Sequence, residues 1–190
     1  MRKERLEAFS DGVIAIIITI MVLGLKPPVS ASWAGLRGGI MPEFVSYILS
    51  FVYVAIYWNN HHHLLHTVQR INGKMLWANM HLLFWLSLIP FTTAWVRQSF
   101  FAATPTALYG VVLFLCATAY FLLQKTILDA QGKDSLLQKA LGRDVKGKAS
   151  AILYATGVVL AFRSPLVSNL IYAVVAAMWL VPDRRIEKIL

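Results

Sequence analysis

Apolar positions in this chain come in long runs separated by short polar breaks. The first run is RLEAFSDGVIAIIITIMVLGL, residues 5–25. From Val13 to Leu25 only Thr19 is polar, yet the run follows directly on Ser10 and Asp11. A spanning helix needs about 20 predominantly apolar residues, with breaks at polar, Gly or Pro clusters. Six segments fit, at approximately 5–25, 43–65, 75–96, 104–124, 147–163 and 165–182. Thr104-Pro105 and Ser164-Pro165 each read as an N-cap followed by proline at the first helical position. Pro90, in SLIPFTT, predicts a kink in the third span, with Thr92 or Thr93 satisfying a freed carbonyl. The fifth span is short and contains Gly157. The stretch 125–148, KTILDAQGKDSLLQKALGRDVKGK, is the one clear hydrophilic segment, and 125–146 reads as a partly helical loop.

Composition agrees with this pattern. The chain is 58% hydrophobic and 14% charged, with mean hydropathy +0.62, whereas soluble domains carry about a quarter charged residues. The expected fold class is therefore an all-α integral membrane protein. A cleaved signal peptide is the competing reading of the N-terminus, since MRKER is basic and VSAS has small residues. Against it, Glu4, Glu7 and Asp11 interrupt the basic region, and several further apolar segments follow. The lone cysteine, Cys116, lies inside an apolar segment, which excludes a disulfide framework and suits a buried hydrophobe.

The net charge of +9 is topological. With six spans, the N-terminus, the 2–3 and 4–5 loops and the C-terminus share one side. Of the 18 Lys and Arg residues, only Lys26, Arg37, Arg97 and Arg163 fall on the other. By the positive-inside rule both termini are then cytoplasmic, and nucleic acid is not an expected partner. The expected surroundings are a lipid bilayer, spanned several times.

Orientation brings polar groups to one depth. The cytoplasmic third of the first span holds Arg5, Phe9, Ser10 and Asp11. The second ends there in YWNNHHHLLH, with Trp58, His61 and His62, and the third begins there with Trp77, Asn79 and His81. A carboxylate at the bilayer centre costs about 2.5–3.5 kcal/mol on insertion scales, less near the interface. Asp11 is thus expected to point into the bundle, toward spans 2 and 3. Helical phase adds a second face. Arg5, Phe9, Gly12, Ile16, Thr19 and Leu23 form one stripe, and Asp11 lies about 140° round from Ile16. On the second span Trp58, His61, His62 and Leu65 share a face.

These groups admit more than one chemistry. Asp11 with Ser10 and the histidines reads most simply as a structural polar clamp; a proton relay or ion site is the alternative. The stripe is ordinarily helix packing. His62 and His66, or His63 and His66, have metal-ligand spacing, but membrane di-iron oxygenases use many more histidines than the five here. No HExxH, nucleophile elbow, P-loop or CxxC occurs, so no enzyme and no resident cofactor is expected.

RLEAFSDG matches the R-x-x-x-F-S-D signature that opens the first span of the lysosomal potassium channel family (transmembrane protein 175 type). The resemblance extends over most of the chain. WNNHH resembles that family's W-x-x-H-H, WANMHLLFWLSLIPFTT its third span and VPDRRIE its C-terminal end. The signature occurs once, like that of single-repeat prokaryotic members. The resemblance implies a potassium channel without the usual filter, and no TVGYG is present. It also implies a homotetramer of six-span subunits whose first helices surround the pore. Transferred by distance from Asp11, the constriction falls on Ile16, Thr19 and Leu23, the stripe already isolated by phase. Arg5, Phe9, Ser10, Asp11, Trp58, His61, His62 and Asn79 would hold the pore helices in place. Potassium ions would then be the permeating species, only modestly preferred over sodium. The runner-up is a proton-coupled or secondary transporter using Asp11 and His61 or His62.

Overall fold

The computed structural model describes residues 2–27, 30–34, 37, 41–68, 70–131 and 145–180. Among these are seven helices and no strand: α1 (Lys3–Leu23), α2 (Met41–His66), α3 (Gly73–Ser87), α4 (Ile89–Gln98), α5 (Ala103–Gln131), α6 (Val145–Leu160) and α7 (Pro165–Leu180). Within the described residues, Lys3–Leu23, Gly73–Gln98 and Ala103–Gln131 are long and apolar enough to cross a membrane, and Pro165–Leu180 is a shorter apolar helix. Helix α5 is central, packing on α3, α4, α6 and α7, while α1 lies against α2, α3 and α4.

Helix boundaries depart from the hydropathy reading in physically simple ways. The third segment is two helices broken at Leu88, just before Pro90, which lacks the N–H a continuous helix needs. Thr92 and Thr93 donate their hydroxyls to the Leu88 and Ile89 carbonyls, at 3.1 and 2.7 Å. The carbonyl four residues before Pro90 belongs to Leu86, so these hydroxyls serve neighbouring groups instead. Helix α5 begins at Ala103, which puts Thr104 inside the helix rather than at its N-cap. It also continues to Gln131, past the expected end at 124, because Leu123 and Ile127 are buried and carry the apolar face onward. Ser164 does cap α7, its Oγ lying 3.5 Å from the Val167 N–H. The loop stretch 132–144, the last two positions of segment 165–182, VPDRRIE and the cations Lys133, Lys139, Arg143, Arg184, Arg185 and Lys188 lie outside the described residues.

A cluster of tyrosines ties the outer helices to α5. The rings of Tyr53, Tyr109, Tyr154 and Tyr172, from α2, α5, α6 and α7, pack with centroids 5.9–6.5 Å apart. Tyr53 donates its hydroxyl to the Tyr172 carbonyl. Tyr109 and Thr93 both bond Ser50, at 3.0 and 2.7 Å. Thr93 gives its proton to Ile89 O, so Ser50 donates to Thr93 and accepts from Tyr109. These hydroxyls have partners because a dry interior offers no water to satisfy them.

Gly157, which made the fifth segment look weak, has a packing role. The buried Tyr172 ring lies against both Gly157 and Gly110, and a Cβ at either glycine would overlap it. Ser168 also donates to the Gly157 carbonyl at 2.7 Å, drawing α6 and α7 together. Gly157→Val is expected to force this contact apart at a cost of about 1–3 kcal/mol. Thermal unfolding in detergent should show the midpoint several degrees lower; an unchanged midpoint would mean that the close approach carries no stability.

Candidate functional site

The site is built on α1. Its inner face, Leu6, Ser10, Ile14, Ile17 and Met21, is buried. Residues at steps of three and four from Leu6 point the same way, and α2, α3 and α4 cover them. The opposite face is bare. Arg5, Phe9, Gly12 and Thr19 are exposed, with Ile16 at 58% and Leu23 at 82%. Ile20, which the phase argument left out, is equally exposed at 51% and stands on the other flank of the same turn as Thr19. The Thr19 hydroxyl donates to the Ile16 carbonyl at 2.9 Å, so only its lone pairs remain available to a third group.

Polar anchoring is divided between two neighbouring residues. Ser10, rather than Asp11, occupies the buried position. Asn79 Nδ2 donates to Ser10 Oγ at 3.0 Å, and Ser10 Oγ lies 2.8 Å from the Leu6 carbonyl. His61 Nε2 sits 2.7 Å from Asn79 Oδ1. The direction of this chain follows from its end. A carbonyl only accepts, so Ser10 donates to Leu6 O and accepts from the Asn79 amino group. Asn79 therefore turns its oxygen to His61, and His61 Nε2 carries the hydrogen. Three helices are joined by one directional chain, and all three side chains are buried.

Asp11 is exposed and reaches α2 alone, accepting from Trp58 Nε1 at 2.9 Å. The expectation that it faces both the second and third helices is corrected here: one residue is about 100° of helix rotation, enough to move it to the rim. Trp58 stacks on His62 with centroids 6.0 Å apart and planes at 25°, and His62 in turn meets His66. Trp58, His61, His62 and Leu65 do not act as one face: His61 and Leu65 are buried, Trp58 and His62 exposed. His81 accepts from Trp85 Nε1 at 2.8 Å. Among the described residues no three His, Cys, Asp or Glu side chains converge as a metal site.

Two basic residues treated only as topology markers also touch the α1 system. Lys3 donates to the His66 carbonyl at 3.0 Å, placing a cation at the C-terminus of α2, and lies 3.7 Å from Glu7. Arg97 places its guanidinium beside Gly24, where a Cβ would be 3.7 Å away. It therefore complements the negative end of the α1 dipole. Charge count alone carries no signal for either contact, because both depend on how helices from distant parts of the chain meet.

Comparison with known proteins gives consistent results. The family model for the endosomal/lysosomal potassium channel TMEM175 matches residues 5–90. A protein named potassium channel from Chryseobacterium sp. (strain P1-3) is 53% identical over 188 residues, 99% of this chain and 97% of that protein. The endosomal/lysosomal proton channel TMEM175 of Rattus norvegicus is 31% identical over 132 residues, 64% of this chain and 26% of that protein. The crystal structure of a lysosomal potassium-selective channel TMEM175 homolog from Chamaesiphon minutus superposes with a TM-score of 0.79 at 25% identity. That match covers 95% of this chain and 97% of the other.

Proposed function

The chain belongs to the endosomal/lysosomal potassium channel family TMEM175, and from that premise we propose that it forms a homotetrameric, potassium-conducting channel. The family is one of membrane ion channels, not enzymes. In the proposed assembly each subunit crosses a prokaryotic plasma membrane six times with both termini in the cytoplasm. Four α1 helices surround the axis, and potassium passes without a resident cofactor.

The observation that carries this reading is the bare face of α1. A helix that buries Leu6, Ile14, Ile17 and Met21 within its own subunit also exposes Phe9, Ile16, Ile20 and Leu23. An apolar face alone would suit lipid, but on α1 it is exposed together with Arg5, Asp11 and Thr19, and ionisable groups in spanning helices face a bundle interior or a water-filled path. Ile16, Thr19 and Leu23 would form successive rings, with Ile20 beside them. Apolar rings stop ions by dewetting when narrow and pass them when slightly wider. Such rings supply few fixed oxygens, so potassium is preferred over sodium only modestly. Arg5, Phe9, Ser10, Asp11, Trp58, His61, His62 and Asn79 set the rotation of α1, and through it the ring diameter.

The rat relative's name, a proton channel, gives the proton reading its one support. The buried chain argues against a proton path through His61. It ends on the Leu6 carbonyl, which cannot pass a proton on. Flux of potassium and of sodium into liposomes holding the purified protein tests the main reading. Potassium-favouring flux is expected. No cation flux from folded, oligomeric protein would overturn it, and a proton-gradient assay would then decide for the carrier.

A further inference from the structure

A cavity of about 260 Å³ lies between α2, α5, α6 and α7, on the far side of α2 from the α1 stripe. An apolar cavity of about 150 Å³ already accepts a benzene-sized molecule. This one is graded along its length. Tyr53, Ala117 and Tyr154 line one end, and Asn60, Gln124 and Lys148 the other. On each helix the two ends are six or seven residues apart, so the cavity runs about 10 Å along the helices. The polar end is the one shared by the α1 start and the α2 and α5 ends. Lys3 bonds His66 O there, and Gln131 bonds Thr67 O at 2.6 Å.

The polar end presents a carboxamide to the cavity. Gln124 is 7% exposed, lines the cavity, and makes no hydrogen bond to any described residue. Asn60, which gives one Nδ2 hydrogen to the Ile56 carbonyl at 2.8 Å, lines the same end of the cavity. Gln124 offers its carboxamide to whatever fills the cavity, and Lys148 adds an exposed cation at the mouth. Phe121, half exposed on α5, lines the same cavity at the outer surface of the bundle.

An apolar slot one chain wide, a buried donor at its polar end and a cation at its mouth together describe the binding of an anionic amphiphile. We infer that this cavity holds the headgroup-proximal part of one acyl chain of an anionic phospholipid, with a headgroup oxygen on Gln124 and the phosphate at Lys148. The second chain remains in the bilayer beyond Phe121. Basic pockets between spanning helices on the cytoplasmic side recognise anionic headgroups in this way. The assignment to the cytoplasmic leaflet rests on the orientation proposed above; the site itself does not.

The test is native mass spectrometry of the intact protein released from bilayers of equal phosphatidylglycerol and phosphatidylcholine. Wild type should retain phosphatidylglycerol over phosphatidylcholine by about fivefold, the ratio set by ~1 kcal/mol for one lysine near a headgroup. Lys148→Glu, at an exposed position that leaves the fold intact, should bring that ratio below one, because it replaces an attraction for the anionic headgroup by a repulsion. Ala151→Phe, which fills the cavity, should abolish retention. Equal retention of both lipids by wild type, or an unchanged preference in Lys148→Glu, overturns the proposal. A bound species of fatty-acid mass overturns the phospholipid assignment. None of these readings depends on conduction, so the site can fail without the channel reading failing, and the reverse.

Discussion

Replacing Ile16 with asparagine is expected to raise potassium flux about tenfold in liposomes, which corresponds to a barrier lowered by about 1.4 kcal/mol. Ile16 is 58% exposed on the bare face of α1, and in the proposed tetramer four copies meet at one level. An apolar ring excludes an ion chiefly because it excludes the ion's water. Asparagine is close to isoleucine in size but brings an amide that holds water in the narrow state. Ile16 borders a groove shared with Tyr47, Pro90 and Phe91, but most of its surface faces away from its own subunit, so folding should be spared. The control is Ile14→Asn, one helix face away and 1% exposed, which should unfold the subunit rather than open it. Unchanged flux from a well-folded Ile16→Asn protein would remove Ile16 from the gate. The constriction would then be sought at Thr19, Ile20 or Leu23.

Removing the amide of Asn79 is expected to have the largest effect on stability of any change to the polar anchor of α1. In Asn79→Leu, His61 loses the acceptor for its Nε2 hydrogen, and Ser10 loses the group that donates to it. Ser10 keeps its bond to Leu6 O, so the loss falls mainly on His61. Interhelical hydrogen bonds in membranes are worth only about 0.6–2 kcal/mol. A buried donor left unsatisfied costs about 1–3 kcal/mol more, and this second effect decides the magnitude. A destabilisation of about 2–3 kcal/mol should lower the thermal midpoint by roughly 5–10 °C. Asp11→Ala offers the contrast. It removes a single exposed bond to Trp58, so the subunit should fold with little change while tetramers become fewer on size-exclusion chromatography. Intact tetramers with strongly altered ion preference would instead make Asp11 part of the permeation path. If Asn79→Leu left the midpoint unchanged, the buried chain would have no part in holding α1.

The two residues side by side show where sequence reasoning stops. Ser10 and Asp11 both appear in the signature, and depth alone places both beside the histidines. Choosing which of them enters the bundle requires the rotation of α1. That rotation is set by how Leu6, Ile14, Ile17 and Met21 pack and by the buried Ser10–Asn79–His61 chain, both of which depend on helices distant in sequence. Helical phase likewise put Ile16, Thr19 and Leu23 on one stripe, yet it could not add Ile20. A helix in lipid is apolar all round, and only the neighbours determine which apolar residues are left uncovered. Pro90 was legible as a break because its chemistry is local. The pairing of Arg97 with the end of α1 was not, since no residue near Arg97 in the chain announces it.

The sequence by itself determined that this is an all-helical membrane protein of a potassium channel family, because transfer to lipid sums over each segment independently of the others and the signature is contiguous. Only the tertiary structure decided the rotation of each helix: that Ser10 anchors and Asp11 sits on the rim, that Gly157 and Gly110 make room for Tyr172, and that Gln124 faces a cavity. Each helical residue turns the chain by about 100°. A side chain's surroundings therefore depend on packing summed over the whole bundle, which no local pattern contains.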